Sequence, residues 1–282
     1  MRKRFKNMSE AVKMELREHK SSFIVYCVLR ILVIVALVLQ LLNKNYENVF
    51  LCVLTLILLV VPSFIQVNFK IELPTGIEII MLIFIFAAEI LGEISAYYIK
   101  FPRWDTALHT LNGFLMAAIG FSLVDLLNRS KETKFQLSPL YMAVVAFCFS
   151  MTIGVVWEFF ECGIDLFFGL DMQKDTIVHS IGSVMLDPTE TNTVVRIEDI
   201  ESVVINGKDL GLGGYLDIGL LDTMKDLFVN FIGAVVFSII GFFYVKNRGE
   251  GRFAKKFIPQ RKAHDRDFLQ QVREQAEEEK KK

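Results

Sequence analysis

The stretch WDTALHTLNGFLMAAIGFSLVDLL, residues 104–127, is typical of a membrane-spanning helix, but its first turns carry polar side chains. Asp105, His109 and Asn112 follow one another at steps of four and three residues, so they share one helix face. A charged side chain in the hydrocarbon core of a bilayer costs about 2.5 to 3.5 kcal/mol on insertion scales. Such side chains usually face a bundle interior, pair with another charge or bind a cation, and they therefore indicate a functional site.

Six apolar runs are long enough to cross a hydrocarbon core of roughly 30 Å. The chain is 53% hydrophobic, whereas soluble globular proteins are about 45–50% apolar. We therefore predict an all-α membrane protein, a six-span helical bundle with a small β-hairpin in one loop. The predicted spans lie near residues 22–42, 48–68, 76–98, 105–127, 140–168 and 223–245. Pro62 falls inside the second span, where neighbouring helices can compensate for a kink.

Lysine and arginine are concentrated in three segments that six spans place on one side of the membrane. The positive-inside rule assigns that side to the cytoplasm, so both termini of this multi-pass cell-membrane protein are expected there. The three segments are the N-terminus, the loop with Arg129, Lys131 and Lys134, and the stretch 246–266. The predicted organisation is a basic interfacial segment at 1–21, a membrane domain at 22–245 and a basic, charged cytoplasmic tail at 246–282.

A long loop at 169–221 is expected outside the cytoplasm. Its residues 203–208, VVINGK, are a strong hairpin signal, because Asn206-Gly207 suits the positive φ angles of a type I′ turn. Gly211, Gly213 and Gly214 are interpreted as turn glycines, since no strand–helix pattern of a phosphate loop accompanies them.

Three more apolar segments carry acids at helical spacing. Because odd spans run outward and even spans run inward, all the polar sets fall in the outer half of the membrane. Glu158, for example, precedes Phe168 by ten residues, which is about 15 Å along a helix. We therefore expect one polar cavity that opens outward and closes near the middle of the membrane. The additional sets are Glu89 with Glu93, Glu158 with Glu161 and Asp165, and Asp222 with Asp226 and Asn230.

Eight carboxylates and one histidine cannot all stay ionised and unpaired in such a cavity. Three arrangements would remove the excess charge. They are protonation of some acids, pairing of some acids with Lys100, Arg103, Lys174 or Lys225, and binding of one or two divalent cations. Carboxylates with a single imidazole suit Mg, Mn, Fe or Zn, and the spacings match those of carboxylate metal bundles. The candidate metal ligands are Asp105, His109, Glu158, Glu161, Asp165, Asp222 and Asp226. His109 and Asp226 are also the candidate catalytic residues, and Glu89, Glu93, Asn112 and Asn230 are supporting residues.

A structural explanation competes with the functional one. Asp105 and Asp222 could be N-caps at the membrane surface, and Asp165 could be a helix-end residue. Glu158 and Asp226 lie too deep for that, and their structural alternative is a buried polar network. The cysteines form no C-x-x-C pair, so no disulfide framework or zinc knuckle is expected.

Three motifs combine into a family pattern. They are Trp104-Asp105-x3-His109-x3-Gly113, Trp157-Glu158-x2-Glu161 and Asp222-Thr223-x2-Asp226-x3-Asn230-x2-Gly233. Together they resemble the YjdF-like family of bacterial integral membrane proteins and, more distantly, the VanZ-like proteins linked to glycopeptide resistance. The resemblance covers roughly residues 75–245 and implies a helical membrane fold. The long loop and the basic tail depart from the short VanZ-like pattern.

The expected function is that of a multi-pass membrane protein whose outward-facing acidic cavity binds a divalent cation. The most specific form of this hypothesis is a metal-dependent enzyme acting on phospholipid or lipid-linked envelope substrates. A divalent cation would polarise a phosphoryl or carbonyl oxygen and activate water, with His109 or Asp226 as ligand or base. The expected partners are membrane lipids and a lipid or lipid-linked substrate, and no nucleic acid. The alternatives are a proton- or cation-coupled transporter and a non-catalytic envelope factor that docks through its loop and tail. No G-x-S-x-G motif is present, which argues against serine hydrolase chemistry.

Overall fold

The computed structural model describes residues 2–128, 137–247, 257–258 and 260–281, and these are mostly helical. Contacts divide the chain into two compact units, Met1–Thr152 with Val229–Lys282, and Ile153–Phe228. The basic loop around Arg129, Lys131 and Lys134 and the stretch 248–256 lie outside the described residues. The cytoplasmic placement of both termini, which rests largely on those segments, stays a prediction.

Apolar runs form the long helices, and polar residues, proline or a change of helix type separate them. Asn45, for instance, caps a helix by accepting a hydrogen bond from the backbone N–H of Asn48 at 3.2 Å. The helices are α1 (Arg2–Glu18), α2 (Lys20–Leu42), α3 (Tyr46–Leu58), α4 (Val61–Phe69), α5 (Thr75–Phe86), a π-helix (Ala87–Ile94), α6 (Tyr97–Lys100), α7 (Trp104–Asn128), α8 (Pro139–Phe168), α9 (Leu220–Lys246) and α10 (Phe268–Lys281).

Five helical segments of the described residues are long and apolar enough to cross a membrane. This confirms a multi-pass helical membrane protein, while the count of six spans stays a prediction. The segment Tyr46–Phe69 is not one continuous α-helix, because α3 ends at Leu58 and α4 begins again at Val61 with Pro62 in its first turn. The five segments are Lys20–Leu42, Tyr46–Phe69, Trp104–Asp125, Pro139–Phe168 and Leu220–Lys246.

The predicted third span, 76–98, is not a uniform α-helix. It consists of α5 and the π-helix, whose last turn closes with a hydrogen bond of 3.0 Å from the Ser95 N–H to the Ile90 carbonyl. Ala96 then adopts a left-handed backbone conformation with φ of 57°, and this ends the helix. π-Helical turns are rare and often occur at functional sites. In this chain the π-helix contains Glu89 and Glu93.

Alanines and aromatic side chains pack together in the core where α7, the first part of α8 and the later part of α9 meet in the first unit. Ala117, Ala118 and Ala234 are fully buried there, and Phe121 packs edge-on against Phe237 at 6.0 Å between ring centroids. In a membrane, small residues let helix backbones approach closely, and van der Waals packing then drives association.

Both ends of the described chain meet in the first unit. α1 packs against α10 through an apolar cluster that includes Ala11, Val12 and Leu269. Strand β1 (Ile71–Glu72) pairs antiparallel with β8 (Gln260–Arg261), and the buried Lys262 forms an ion pair with the buried Glu15. The apolar face of α1 is therefore occupied by protein. Its predicted location at a membrane interface stays a prediction.

The 169–221 loop belongs to the second unit and consists of short two-stranded ribbons. Strands β5 (Val204–Ile205) and β6 (Lys208–Asp209) are joined by Asn206 and Gly207, whose φ angles of 52° and 79° have the signs of a type I′ turn. Most of the loop side chains are exposed and the others are only half-buried, so hydrogen bonds rather than an apolar core order it. The ribbons pair β2 (Ile177–Val178) with β7 (Tyr215–Leu216), β3 (Ile181–Ser183) with β4 (Val195–Ile197), and β5 (Val204–Ile205) with β6 (Lys208–Asp209).

Candidate functional site

The polar face of α7 forms as its spacing predicts. The Asp105 Oδ1 atom lies 3.3 Å from His109 Nε2, and both side chains are largely shielded from solvent. Asp105 is the second residue of α7, so it lies inside the first turn rather than at the N-cap position. A carboxylate in the first turn of a helix interacts favourably with the helix dipole, and here it also orients the imidazole.

Asn112, on the same face of α7, joins this helix to α9. Its Nδ2 atom donates a hydrogen bond of 3.2 Å to Oδ1 of Asn230, which is 1% exposed. The next residue, Gly113, lies directly against the Asn230 backbone, where an added Cβ would be 2.1 Å from the carbonyl oxygen. Gly233 makes the reciprocal approach, since its added Cβ would be 2.0 Å from the carbonyl oxygen of Thr110.

We call the meeting of Thr110, Gly113, Asn230 and Gly233 the α7–α9 contact. The helices run parallel through it, because Phe121, further along α7, packs against Phe237 and Gly241, further along α9. The hydroxyl of the buried Ser150 on α8 donates a hydrogen bond of 2.7 Å to the Gly113 carbonyl. The register of α7 and α9 is thus held by backbone contact and by buried polar side chains.

Glu89 and Glu93 lie on the π-helix, not on the α-helix that their spacing suggested. Glu89 is buried and Glu93 is half-buried. The Trp104 indole, at the start of α7, donates a hydrogen bond of 3.3 Å from Nε1 to the Ala87 carbonyl. This bond links the π-helix to the beginning of the helix that carries Asp105 and His109.

Glu158 and Glu161 lie on one face of α8 within the second unit. They are 4% and 8% exposed, so both acids are buried as predicted. The neighbouring Trp157 donates a hydrogen bond of 2.8 Å from Nε1 to Glu161 Oε1. This bond fixes the orientation of the Glu161 carboxyl group.

Asp165 and Asp222 hold the ends of the loop. Asp165 accepts hydrogen bonds from the backbone N–H groups of Met172 at 2.6 Å and Gln173 at 2.8 Å, one on each carboxylate oxygen. Asp222 accepts one from the Lys174 backbone at 3.0 Å, and it lies inside the first turn of α9 rather than at an N-cap. Both acids thus order the chain between α8 and α9.

Asp217 has a similar role next to α9, although sequence reasoning did not single it out. It accepts hydrogen bonds from the backbone N–H groups of Thr176 at 2.6 Å and Leu221 at 2.8 Å. Partial burial opposes ionisation, but these bonds outweigh it and lower the pKa of Asp217 below its usual value. No helical spacing marks this residue, because it lies in the loop.

Asp226 is 1% exposed and lies one turn before Asn230 on α9. The Lys225 ammonium lies 3.6 Å from Asp226 Oδ1 and 3.2 Å from Asp222 Oδ1. The expectation that lysine pairs with part of the acidic set is met at Lys225. The Lys225 side chain is 43% exposed, so the lysine side of this pair meets solvent while Asp226 itself is buried.

Residues 25–247 match the family model described as "Predicted membrane protein (DUF2238)". The chain belongs to the DUF2238 family. The match includes all three motifs quoted above, and it is consistent with the YjdF-like resemblance, whereas nothing supports the VanZ-like one. No curated protein and no solved structure matches the chain.

Sequence reasoning on this DUF2238 protein also missed Glu78, a buried acid in the first turn of α5. Glu78 is 3% exposed and accepts a hydrogen bond of 3.3 Å from Nε2 of the buried Gln66. Glu78 was overlooked because it lies near the start of the predicted span, and an acid near a helix start is ordinarily solvated. The signal that could have found it is Gln66, an amide in the preceding apolar segment.

Proposed function

We propose that this multi-pass membrane protein binds a divalent cation through Asp105, His109 and Asp226. Each of these residues offers one ligand atom, an imidazole nitrogen or a carboxylate oxygen. Mixed nitrogen and oxygen ligands suit Mn, Fe or Zn, and carboxylates also suit Mg. Asp105 Oδ1 and His109 Nε2 are 3.3 Å apart, a separation at which both atoms can bind one ion at bond lengths of about 2.0–2.2 Å.

The register of the α7–α9 contact is the observation that carries this proposal. Gly113 lies against Asn230, and the two helices run parallel from there. His109 precedes Gly113 by one helical turn, and Asp226 precedes Asn230 by one turn. Parallel helices in contact stay close over the neighbouring turn, so this register supports a site shared by His109 and Asp226.

The remaining candidate acids divide into two groups under this proposal. Glu158 and Glu161 are buried and supply negative charge or further ligands, as do Glu89 and Glu93. Asp165 and Asp222 instead position the loop, because backbone N–H groups bind both oxygens of Asp165 and one oxygen of Asp222. The proposed ligand set is therefore narrower than the acidic composition of the spans.

A cation in this site would act as a Lewis acid toward a phosphoryl or carbonyl oxygen of a lipid or lipid-linked substrate, and it would lower the pKa of a bound water. Lys225, next to Asp226, adds a positive charge that suits a phosphate group. The burial of Asp226 strengthens its attraction for a cation, because water screens it less. The resulting reaction class is hydrolysis or transfer at a membrane-embedded ester or phosphoester.

Mn²⁺ binding to the detergent-purified protein tests the proposal by isothermal titration at neutral pH. We expect saturable binding by the wild type, and at least about a tenfold loss of affinity in Asp226→Asn and His109→Gln, since each removes a ligand. Asp165→Asn is the matched control, because it changes an acid that we assign to the loop. The proposal is wrong if the wild type does not bind, or if Asp165→Asn weakens binding as much as Asp226→Asn does.

Glu78 favours a second candidate function, a cation- or proton-coupled carrier. It is a buried acid on α5, the helix that continues into the π-helix with Glu89 and Glu93. The predicted topology places Glu78 toward the cytoplasm, and few acids were expected in that half. Uptake of Mn²⁺ into proteoliposomes distinguishes the two functions, because a carrier transports the ion whereas an enzyme only retains it.

A further inference from the structure

A second polar cluster lies where α2 and α5 begin and α4 ends, within the first unit. It consists of Ser22, Gln66 and Glu78, whose exposed fractions are 2%, 1% and 3%. The three residues come from three different helices, so the cluster is a product of the fold and not of one sequence motif. Polar groups buried this deeply are costly unless they have partners.

Hydrogen bonds satisfy only part of this cluster. Gln66 Oε1 accepts a bond of 2.8 Å from the Leu73 backbone, and its Nε2 donates one of 3.3 Å to Glu78 Oε1. The Ser22 hydroxyl faces the Glu78 carboxyl, but not in hydrogen-bond geometry. Within the described residues, Ser22 Oγ and Glu78 Oε2 therefore have no hydrogen-bond partner.

Charge compensation is also incomplete. Among the described residues, no lysine or arginine forms an ion pair with Glu78, although His19 contributes a favourable electrostatic interaction. The neighbouring cations have other partners. These pairs are Lys70 with Asp267, Lys262 with Glu15, and Arg266 with Glu72 and Glu18.

We propose that Ser22 and Glu78 bind a monovalent alkali cation between their unpartnered oxygens. A hydroxyl and a carboxylate are hard oxygen ligands, which hard cations prefer. Gln66 Oε1 can add a third ligand, because a carbonyl oxygen has two lone pairs and the Leu73 N–H uses one. One carboxylate balances one positive charge, whereas a divalent ion would leave a net charge buried. The site is separate from Asp105, His109 and Asp226, and its existence does not depend on theirs.

The melting temperature of the purified protein in Na⁺ and in choline, at equal ionic strength, tests this inference. A chelator is present throughout, so that divalent ions do not contribute. An ion that binds only the folded state at about ten times its Kd should raise the melting temperature by about 3 °C. Choline is too large for a site between two side-chain oxygens. Equal melting temperatures in the two salts would overturn the inference.

Two variants assign the Na⁺ effect to the cluster. Glu78→Gln removes the charge and Ser22→Ala removes the hydroxyl, so each should abolish the difference between Na⁺ and choline. Glu47→Gln is the matched control, because Glu47 is also in the first turn of an apolar helix but is exposed, and it should keep the difference. If Glu78→Gln does not fold, Ser22→Ala decides the question. A full Na⁺ effect in Ser22→Ala would then contradict the proposal.

Discussion

The α7–α9 contact and the 169–221 loop are ordered in opposite ways. In the α7–α9 contact, two glycines bring helix backbones together, and a hydrogen bond between two amide side chains joins the same helices. In the loop, exposed ribbons depend on aspartates such as Asp187, whose carboxylate accepts hydrogen bonds from several threonines. Packing thus determines the stability of the helices, and hydrogen bonds to ionised acids determine the stability of the loop. The two regions should respond to different perturbations.

The largest effect is expected from Gly233→Ala. The new Cβ would lie 2.0 Å from the Thr110 carbonyl oxygen, and a backbone atom cannot move aside as a flexible side chain can. We expect a loss of about 3 kcal/mol in stability, seen as a lower melting temperature or as failure to fold in detergent. Gly163→Ala is the control, since a Cβ there meets no atom within 4 Å. If the Gly233→Ala protein is as stable as the Gly163→Ala protein, packing does not determine the stability of the α7–α9 contact.

A local effect is expected from Asp187→Ala in the loop. The Asp187 carboxylate accepts bonds from the Thr189 backbone at 2.9 Å, the Thr191 backbone at 3.0 Å and the Thr193 backbone at 3.1 Å. Without it, the amides of residues 189–193 should exchange with deuterium faster, while the melting temperature stays the same. Hydrogen-exchange mass spectrometry measures both regions in one sample. Faster exchange in α7 as well would contradict the separation of the two regions.

Acid should distinguish the two regions in the wild type with a smaller effect. Hydrogen bonds from the Thr189 side chain and from the backbone of Thr189, Thr193 and Thr191 hold the pKa of Asp187 well below its usual 3.8. Because its pKa is lowered, ionised Asp187 stabilises the ordered loop fully when the pH is above the usual pKa. This stabilisation is lost as the pH falls toward the lowered pKa. As the pH is lowered from about 6 to about 2.5, the amide hydrogen-exchange rate of residues 189–193, corrected for the intrinsic rate, should rise.

The α7–α9 contact contains no titratable side chain, so its exchange should not change over the same range. If Asn230 and its neighbours lose protection in parallel with the loop, the helices and the loop unfold together. The claim that packing stabilises the helices and ionised aspartates stabilise the loop would then be wrong.

The helical faces could be predicted from the sequence because steps of three and four residues fix which side chains share a face. This holds for Asp105 with His109, which are in contact, and for the burial of Glu158 and Asp226. The multi-pass membrane character followed from apolar runs of sufficient length.

What the sequence could not reveal depends on tertiary contacts. The π-helix around Glu89 replaces a predicted α-helix, and periodicity cannot distinguish these two helix types over two turns. Asp165 and Asp222 shared the helical spacing of ligands, yet their oxygens accept bonds from loop backbone that spacing does not describe. Glu78 is buried by residues from other helices, and that burial leaves no local pattern.

Thiol cross-linking between α7 and α9 tests the central claim most directly. In a cysteine-free background, His109→Cys with Asp226→Cys should be joined by the shortest bifunctional thiol reagent as efficiently as Asn112→Cys with Asn230→Cys, whose side chains are in contact. His109→Cys with Ser238→Cys is the negative control, because Ser238 lies about 18 Å further along α9 than Asp226. Efficient cross-linking of the first two pairs alone supports a shared site. If the His109–Asp226 pair reacts no better than the negative control, the proposed site does not exist.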